Sequence, residues 1–304
     1  MSYSYNVKLD LCKKKVDFMK AELYGFLLFS NTFTTKEITF TTGHIEIFNR
    51  YVDIFNSLNI KEYLTGTKGI KNITHTFTIN NPDVISKLLQ KLNNCSIHTP
   101  LHIDYAVLEK ECYMSAFLRG AFIAAGFISD PQKAYQMEIT TSHFLLADDL
   151  AKLLSEFELY PKMTTRQGNR VLYIKTAESI KDFLTVIGSM EYMFDFTNTV
   201  IIKDIRNDIN RIINCESANI DKTIVASKTH IKAIKELKAL SYEGLNDQLR
   251  EIAELRLEND DLSLEQLGKL CNPPLTKSGV SHRLKKICDI TEKMNVNVKG
   301  KEKQ

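Results

Sequence analysis

Two stretches about a hundred residues apart repeat one order of elements, which restricts the chain to folds with internal symmetry. The first opens on an apolar helix over 21–30. A strand with alternating pattern follows at 36–41, then a helix with apolar residues at Tyr51, Val52, Phe55 and Leu58. Two strands near 60–67 and 70–79 and a helix over 82–92, started by Asn81 before Pro82, complete it. The second stretch has an apolar helix over 115–126, a strand at 136–141 and a helix over 145–157. A hairpin at 160–176 turns at Gln167-Gly168-Asn169, and a helix covers 178–187. The first strands of both copies share Glu-Ile-Thr, and each copy reads α-β-α-β-β-α. The copies occupy about 12–95 and 109–190 of a domain over 1–202. Gly25, Gly120, Ala121 and Ala124 would let the two apolar helices approach closely at a pseudo-twofold axis.

Residues 241–304 read as an all-α module. A first helix near 247–258 should turn Leu249, Ile252, Ala253 and Leu257 inward. Ser263 and Gln266 have the spacing of a capping box, ahead of a helix through Leu264, Leu267 and Leu270. Pro273-Pro274 forbids its continuation. Thr276 is placed to cap a third helix over 277–287, with Leu275 as its staple. On that helix Val280, Leu284 and Ile287 share one stripe. Ser278, His282, Lys285 and Lys286 lie opposite, flanked by Ser281 and Arg283. A capped helix, a turn and a basic helix are the parts of a helix-turn-helix, whose last helix enters the major groove of DNA. Ser278, Ser281 and His282 would then meet base edges or the nearby backbone, and Lys277, Arg283, Lys285 and Lys286 would hold phosphates. A basic helix that is only a solvated face is the plainer alternative.

Between the two lies a bridge over 203–240. Residues 206–223 are dense in Asn and Arg, without the Gly-Ser-Pro composition of a flexible linker. Ile205, Ile209, Ile212 and Ile213 keep helical spacing, so the stretch reads as a helix with amides and guanidiniums on its free face. Spacing alone leaves a solvated connector helix equally open. Further on, Lys228, His230, Lys232, Lys235 and Lys238 belong to a helix that could line a nucleic-acid backbone or simply pack. The lysine-rich tail after Met294 is expected to be disordered.

Charge supports a polyanion partner weakly. Residues 1–202 carry 21 of the 40 Lys+Arg and 21 of the 37 Asp+Glu, so the net +3 lies wholly in the last third. The hairpin cations Lys162, Arg166, Arg170 and Lys175 permit DNA contact by the first domain, but its neutral total does not encourage it. The six cysteines include no CxxC and stand apart from the histidines, which argues against a zinc site. Nucleotide-binding glycine motifs, GxSxG and HExxH are absent. The start of the chain lacks a signal-peptide core, and the most apolar window, 117–128, contains Arg119 and is too short to span a bilayer. The expectation is a cytoplasmic protein with reduced thiols.

The pattern RN-x-x-NR-x-x-NCE-x-AN-x-x-KT over 206–223 and the run TKSGVSHRL over 276–284 resemble the WhiA family of bacterial DNA-binding proteins. The last module is also similar to the helix-turn-helix of sigma-factor region four. The opening α-β-α-β-β-α copies, each with an apolar Leu-x-Gly helix, resemble the LAGLIDADG homing-endonuclease fold. The resemblance implies an α+β chain: a pseudo-twofold duplicated LAGLIDADG-like domain, then an all-α helix-turn-helix domain. It implies binding of double-stranded DNA in cell division, chromosome segregation or transcription regulation, with no cofactor, metal or membrane. A nucleoid-associated monomer whose twofold symmetry is internal fits it. Arg206, Asn210, Arg211, Asn214, Asn219 and Lys222 are the bridge residues it marks for DNA contact. In the nuclease family an acid before the last motif glycine holds a divalent metal. Here those places fall to Ser30, before Asn31, and Ala125, before Gly126, and neither side chain can replace a carboxylate. No catalytic residue is therefore assigned. A nuclease would need relocated acids, Glu22, Glu111 or Asp130, and a protein scaffold of the division machinery is a further alternative.

Overall fold

The computed structural model describes the 304-residue chain except residues 1, 16, 70–72, 94, 240, 241, 243 and 302–304, and gives the backbone alone at 295–301. Contacts divide it into two compact units, Met1–Asp204 and Ile205–Gln304.

In the first unit α1 (Tyr3–Lys13) precedes α2 (Met19–Leu28), β1 (Thr32–Phe33), β2 (Ile38–Thr42), α3 (Ile45–Ser57), β3 (Leu64–Lys68), β4 (Thr74–Ile79) and α4 (Pro82–Lys91). The order then recurs as α5 (Glu111–Ala125), β5 (Gly126–Ile128), β6 (Met137–Thr141), α6 (Phe144–Ser155), β7 (Lys162–Arg166), β8 (Asn169–Ile174) and α7 (Ala177–Val186). The two antiparallel sheets have matching strand orders, β1-β2-β4-β3 and β5-β6-β8-β7. The duplication expected from the sequence is present in both copies, although residues 70–72 of the strand expected at 70–79 lie outside the described residues.

Local chemistry explains several boundaries. Asn81 Oδ1 accepts from Asp83 N at 3.0 Å, and Pro82 supplies a preset φ to the first turn of α4. Gln167 and Gly168 have φ of 50° and 81°, the paired positive values that a two-residue hairpin turn needs between β7 and β8. Helix α2 is buried continuously from Ala21 to Leu28, as a helix enclosed on all sides must be. It packs against α5 so closely that a Cβ on Gly25 would strike the Phe117 carbonyl, and one on Gly120 the Glu22 carbonyl. The central helix pair therefore depends on these two glycines.

Three elements escape the sequence reading. Strands β1 and β5 are two and three residues long, too short for alternation to register. Helix α1 buries only Ser4, Val7 and Leu11, a thin stripe in a polar segment.

Helix α8 (Met190–Ala239) has no boundary at 203; the expected bridge is the continuation of a helix that starts at Met190. The second unit continues with α9 (Asp247–Glu258), α10 (Leu264–Leu270) and α11 (Lys277–Lys301). Its core comprises Ile234 and Leu237 of α8, Ile252 and Ala253 of α9, Leu267 of α10, and Val280, Leu284 and Ile287 of α11, all fully buried. Leu257 packs against this core but is only half-buried, while Arg256, absent from the sequence reading, is 1% exposed. Helix α11 is assigned through Lys301, with no side chains described after Met294; residues 302–304 of the tail expected to be disordered lie outside the described residues. Among the described residues no helix is long and apolar enough to cross a membrane.

Candidate nucleic-acid interface

Three local devices set the helix-turn-helix. Gln266 N donates to Ser263 Oγ at 3.3 Å while Ser263 N donates to Gln266 Oε1 at 3.0 Å, so the capping box is closed in both directions. Such a cap contributes about 1 kcal/mol. Gly268 of α10 lies so near the Leu275 carbonyl that a Cβ there would collide, and its own carbonyl accepts from Leu275 N at 2.8 Å, which fixes the turn. Thr276 Oγ1 accepts from Gly279 N at 3.2 Å and starts α11.

With Val280, Leu284 and Ile287 buried, the rotation of α11 is set. Lys277, Ser278, Ser281, His282, Lys285 and Lys286 are exposed, and Arg283 is half-buried. Among the described residues none of Lys277, Arg283, Lys285 and Lys286 has an acidic partner within 4.0 Å. Cations without internal partners on one helix face can neutralise a run of phosphates.

The bridge candidates are less concentrated. Arg206, Asn210, Arg211, Asn214, Asn219 and Lys222 are all exposed on α8. At about 100° per residue, Arg206, Asn210 and Asn214 follow one another around the helix, with Arg211 and Lys222 beyond them. Asn219 falls on the other side of an isoleucine stripe, so the six do not share one face. Arg211 pairs with Asp208 at 3.5 Å, and both side chains are well solvated. Ile205, Ile209, Ile212 and Ile213 are 50–58% exposed, so the apolar spacing noted in the sequence does not mark a covered face. Further along, Lys228, Lys232, Lys235 and Lys238 are exposed while Ile234 and Leu237 are buried. His230 departs from its neighbouring cations: it is half-buried, and burial followed by the nearby Arg256 charge lowers its pKa.

A cavity of about 330 Å³ in the first unit is lined among others by Lys8, Ser30, Asn31, His44 and Ala124, so it holds one of the two expected acid positions, Ser30, and the neighbour of the other. Ser30 Oγ donates back to Leu27 O at 2.7 Å, and Asn31 Oδ1 accepts from Thr41 N at 2.7 Å. Ala125 is half-buried beside Ala124. Lys8 has no counterpart among the residues singled out by sequence. Its ammonium lies 5.7 Å from the Phe122 ring centroid, and burial pushes its pKa down to about 8. Burial and then Lys8 lower the pKa of His44 as well. A cation thus lines the space that a metal site would fill with carboxylates. Among the described residues no group of three or more His, Cys, Asp or Glu is placed to hold a metal ion.

The relocated acids fare differently. Glu22 is fully buried; Arg50 donates to it from Nε at 2.7 Å and Nη2 at 3.0 Å, and Arg119 Nε at 2.9 Å. Both carboxylate oxygens are committed, so Glu22 is corrected from candidate metal ligand to structural ion pair. Asp130 Oδ1 accepts from Gln132 N at 2.9 Å within a turn, and Glu111 is exposed at the start of α5. Of the hairpin cations, Arg166 pairs with Glu138 at 3.3 Å, Arg170 lies 4.7 Å over Phe144, and Lys175 lies 5.2 Å over Tyr173.

Comparison with known proteins matches both units. A WhiA LAGLIDADG-like domain model covers residues 114–206, and a WhiA C-terminal HTH domain model covers 209–291. A protein of Ruminiclostridium cellulolyticum named "Probable cell division protein WhiA" is 35% identical over 98% of this chain and 99% of its own length. Its namesakes in Alkaliphilus metalliredigens and Thermoanaerobacter sp. are 38% and 44% identical over 73% and 63% of this chain, and 70% and 61% of their own lengths. The crystal structure of full-length WhiA from Thermatoga maritima superposes with a TM-score of 0.60 at 24% identity, over 96% of this chain and 99% of that one, which speaks for the shared fold. With a relative at this identity along nearly the whole length, and with a duplicated LAGLIDADG-like unit ahead of a helix-turn-helix, the chain belongs to the WhiA family.

Proposed function

We propose that this chain binds double-stranded DNA in cell division and chromosome segregation, as a regulator of transcription that catalyses no reaction itself. The observation that carries this reading is the exposed basic face of α11, whose cations have no acidic partner within 4.0 Å among the described residues, set by a closed capping box and a tight turn. Ser278, Ser281 and His282 read bases, while Lys277, Arg283, Lys285 and Lys286 hold phosphates. In this reading 1–202 is a LAGLIDADG-like domain without its acids, 203–240 is the bridge, and 241–304 is the reading domain. Arg206, Asn210, Arg211, Asn214, Asn219 and Lys222 add backbone contacts along α8. The names of the relatives support the link to cell division, and a monomer at the nucleoid in the cytoplasm fits it.

The non-enzymatic part rests on charge. A divalent cation beside Ser30 would meet the Lys8 ammonium, and the described residues that line the cavity include no carboxylate to offset the repulsion. Supercoiled plasmid incubated with the protein and Mg²⁺ or Mn²⁺ should remain uncut, and reproducible nicking lost in a Glu111→Gln or Asp130→Asn variant would overturn this. Gel shifts on chromosomal fragments should give discrete complexes at a few sites, and absence of any shift in low salt would remove the DNA reading. The uncovered isoleucines of α8 favour a second reading, a scaffold for other division proteins, which that negative result would support.

A further inference from the structure

The second unit contains a cavity of about 260 Å³ where α8, the end of α9 and the starts of α10 and α11 meet. Lys222 and His230 line it from α8, Arg256 from α9, Ser263 and Glu265 at the head of α10, and Lys277 at the head of α11. Glu265 is its carboxylate, and that group pairs with Lys269 at 3.4 Å. Two buried nitrogens that belong to lining residues have no hydrogen-bond partner among the described residues: Arg256 Nε and His230 Nδ1.

Arg256 is the key group. Its Nη1 donates to Asn259 O at 3.1 Å and Leu262 O at 2.7 Å, but no carboxylate lies within 4.0 Å among the described residues, and the side chain is 1% exposed. A buried guanidinium paired only with carbonyls carries a net charge that water does not solvate. Burial lowers its pKa, with Asp260 and Asp261 opposing. Together with two lysines it forms a site with three fixed positive charges, and Ser263 Oγ, which accepts from Gln266 N, retains a proton to donate.

We infer that this cavity binds a phosphate group, as inorganic phosphate or a small phosphate monoester. A planar guanidinium fork and two ammoniums match a tetrahedral dianion better than a single carboxylate. The volume lies below that of pockets for drug-sized ligands, which suits a phosphate with at most a small substituent. The DNA backbone offers the same chemistry, but a diester brings a sugar on each side, which an almost unexposed Arg256 accommodates less well than a monoester. Lys222 and Lys277 are both also candidates for DNA contact, so an anion here would tie α8 to the heads of α10 and α11 and withdraw two cations from the duplex. The inference stands on the cavity and does not require the DNA reading.

Full-length protein is titrated with inorganic phosphate by calorimetry, with chloride holding ionic strength constant and a non-phosphate buffer holding pH. Saturable binding is expected, weakened about tenfold or more by Lys222→Ala and by Ala226→Leu. Ala226 also lines the cavity, and leucine there adds bulk without removing charge. These two variants leave the Arg256 bonds to Asn259 and Leu262 intact, so the test does not depend on an Arg256 variant folding. Heat indistinguishable from the chloride control, or equal affinity in parent and variants, overturns the inference. A duplex arm separates the sources: Ala226→Leu that loses phosphate yet keeps non-specific DNA affinity supports the monoester site, and parallel loss of both assigns the cavity to the DNA backbone and overturns it.

Discussion

Arg119 Nε donates to Glu22 Oε2 at 2.9 Å across the α2–α5 contact, so an ion pair links the two copies of the duplicated domain. Arg50 closes the other carboxylate oxygen and also donates from Nη1 to Cys12 O and Lys14 O at 3.0 and 2.9 Å, which fastens the end of α1 to the same point. The cluster holds one negative and two positive charges in the interior, where a missing partner is costly.

Glu22→Gln should therefore lower stability by about 3–5 kcal/mol, because it strands two guanidiniums that are 4% and 14% exposed. Urea unfolding of the full chain measures it, and a loss under about 1 kcal/mol would contradict the placement. Replacing all three charges with apolar residues of similar volume should restore most of the stability.

Gly25→Ala and Gly120→Ala should each cost more than about 3 kcal/mol or abolish folding, since the added carbon meets the backbone of the facing helix. Gly66→Ala is the control: nothing lies within 4 Å of the new carbon, so the change should stay within about 1 kcal/mol. Equal melting temperatures for the three variants would refute the close approach.

Lys285→Ala with Lys286→Ala should weaken binding to all duplexes and reduce the slope of log affinity against log salt by about two. Anisotropy titrations at several salt concentrations read this directly, and an unchanged slope speaks against phosphate contact. Ser281→Ala or His282→Ala should instead alter the preferred site. A selection experiment that returns the parent's consensus would exclude base reading by these side chains.

Lys8→Met should stabilise the protein at pH 7 by about 1–2 kcal/mol, after allowance for solvent at the half-buried ammonium. Folded Lys8 releases its proton near pH 8, and the unfolded chain near 10.5, so between these values the unfolded chain holds the extra proton. Rising pH therefore stabilises the parent, and the advantage of the methionine variant should shrink from pH 8 towards 10. Burial pushes the thiols of Cys12 and Cys95 up to about 12, above this window; the Lys8 charge opposes that rise at Cys12, so its loss in the variant moves Cys12 further out of range. A pH-independent difference would show that the ammonium is solvated.

Features encoded locally were legible in advance. The two apolar helices, the Gln167-Gly168 turn, the Ser263–Gln266 cap and the stripe of Val280, Leu284 and Ile287 each follow from bonds or periodicity within about ten residues. On α9 the pattern placed Leu257 inward, where it packs at the core margin, but gave no sign that Arg256 is buried beside it. The carbonyls of Asn259 and Leu262, which hold the guanidinium, become partners only once the following loop has folded back.

By itself the sequence determined the duplication, the order of elements and the exposed basic face of α11, because these are written as spacing and residue type along the chain. Only the tertiary structure decided that Glu22 bonds Arg119 from 97 residues away, that Lys8 and Ser30 line one cavity, and that Lys222, Arg256 and Lys277 surround another. Such meetings depend on how helices cross and which charges share a space, and no local period carries that information.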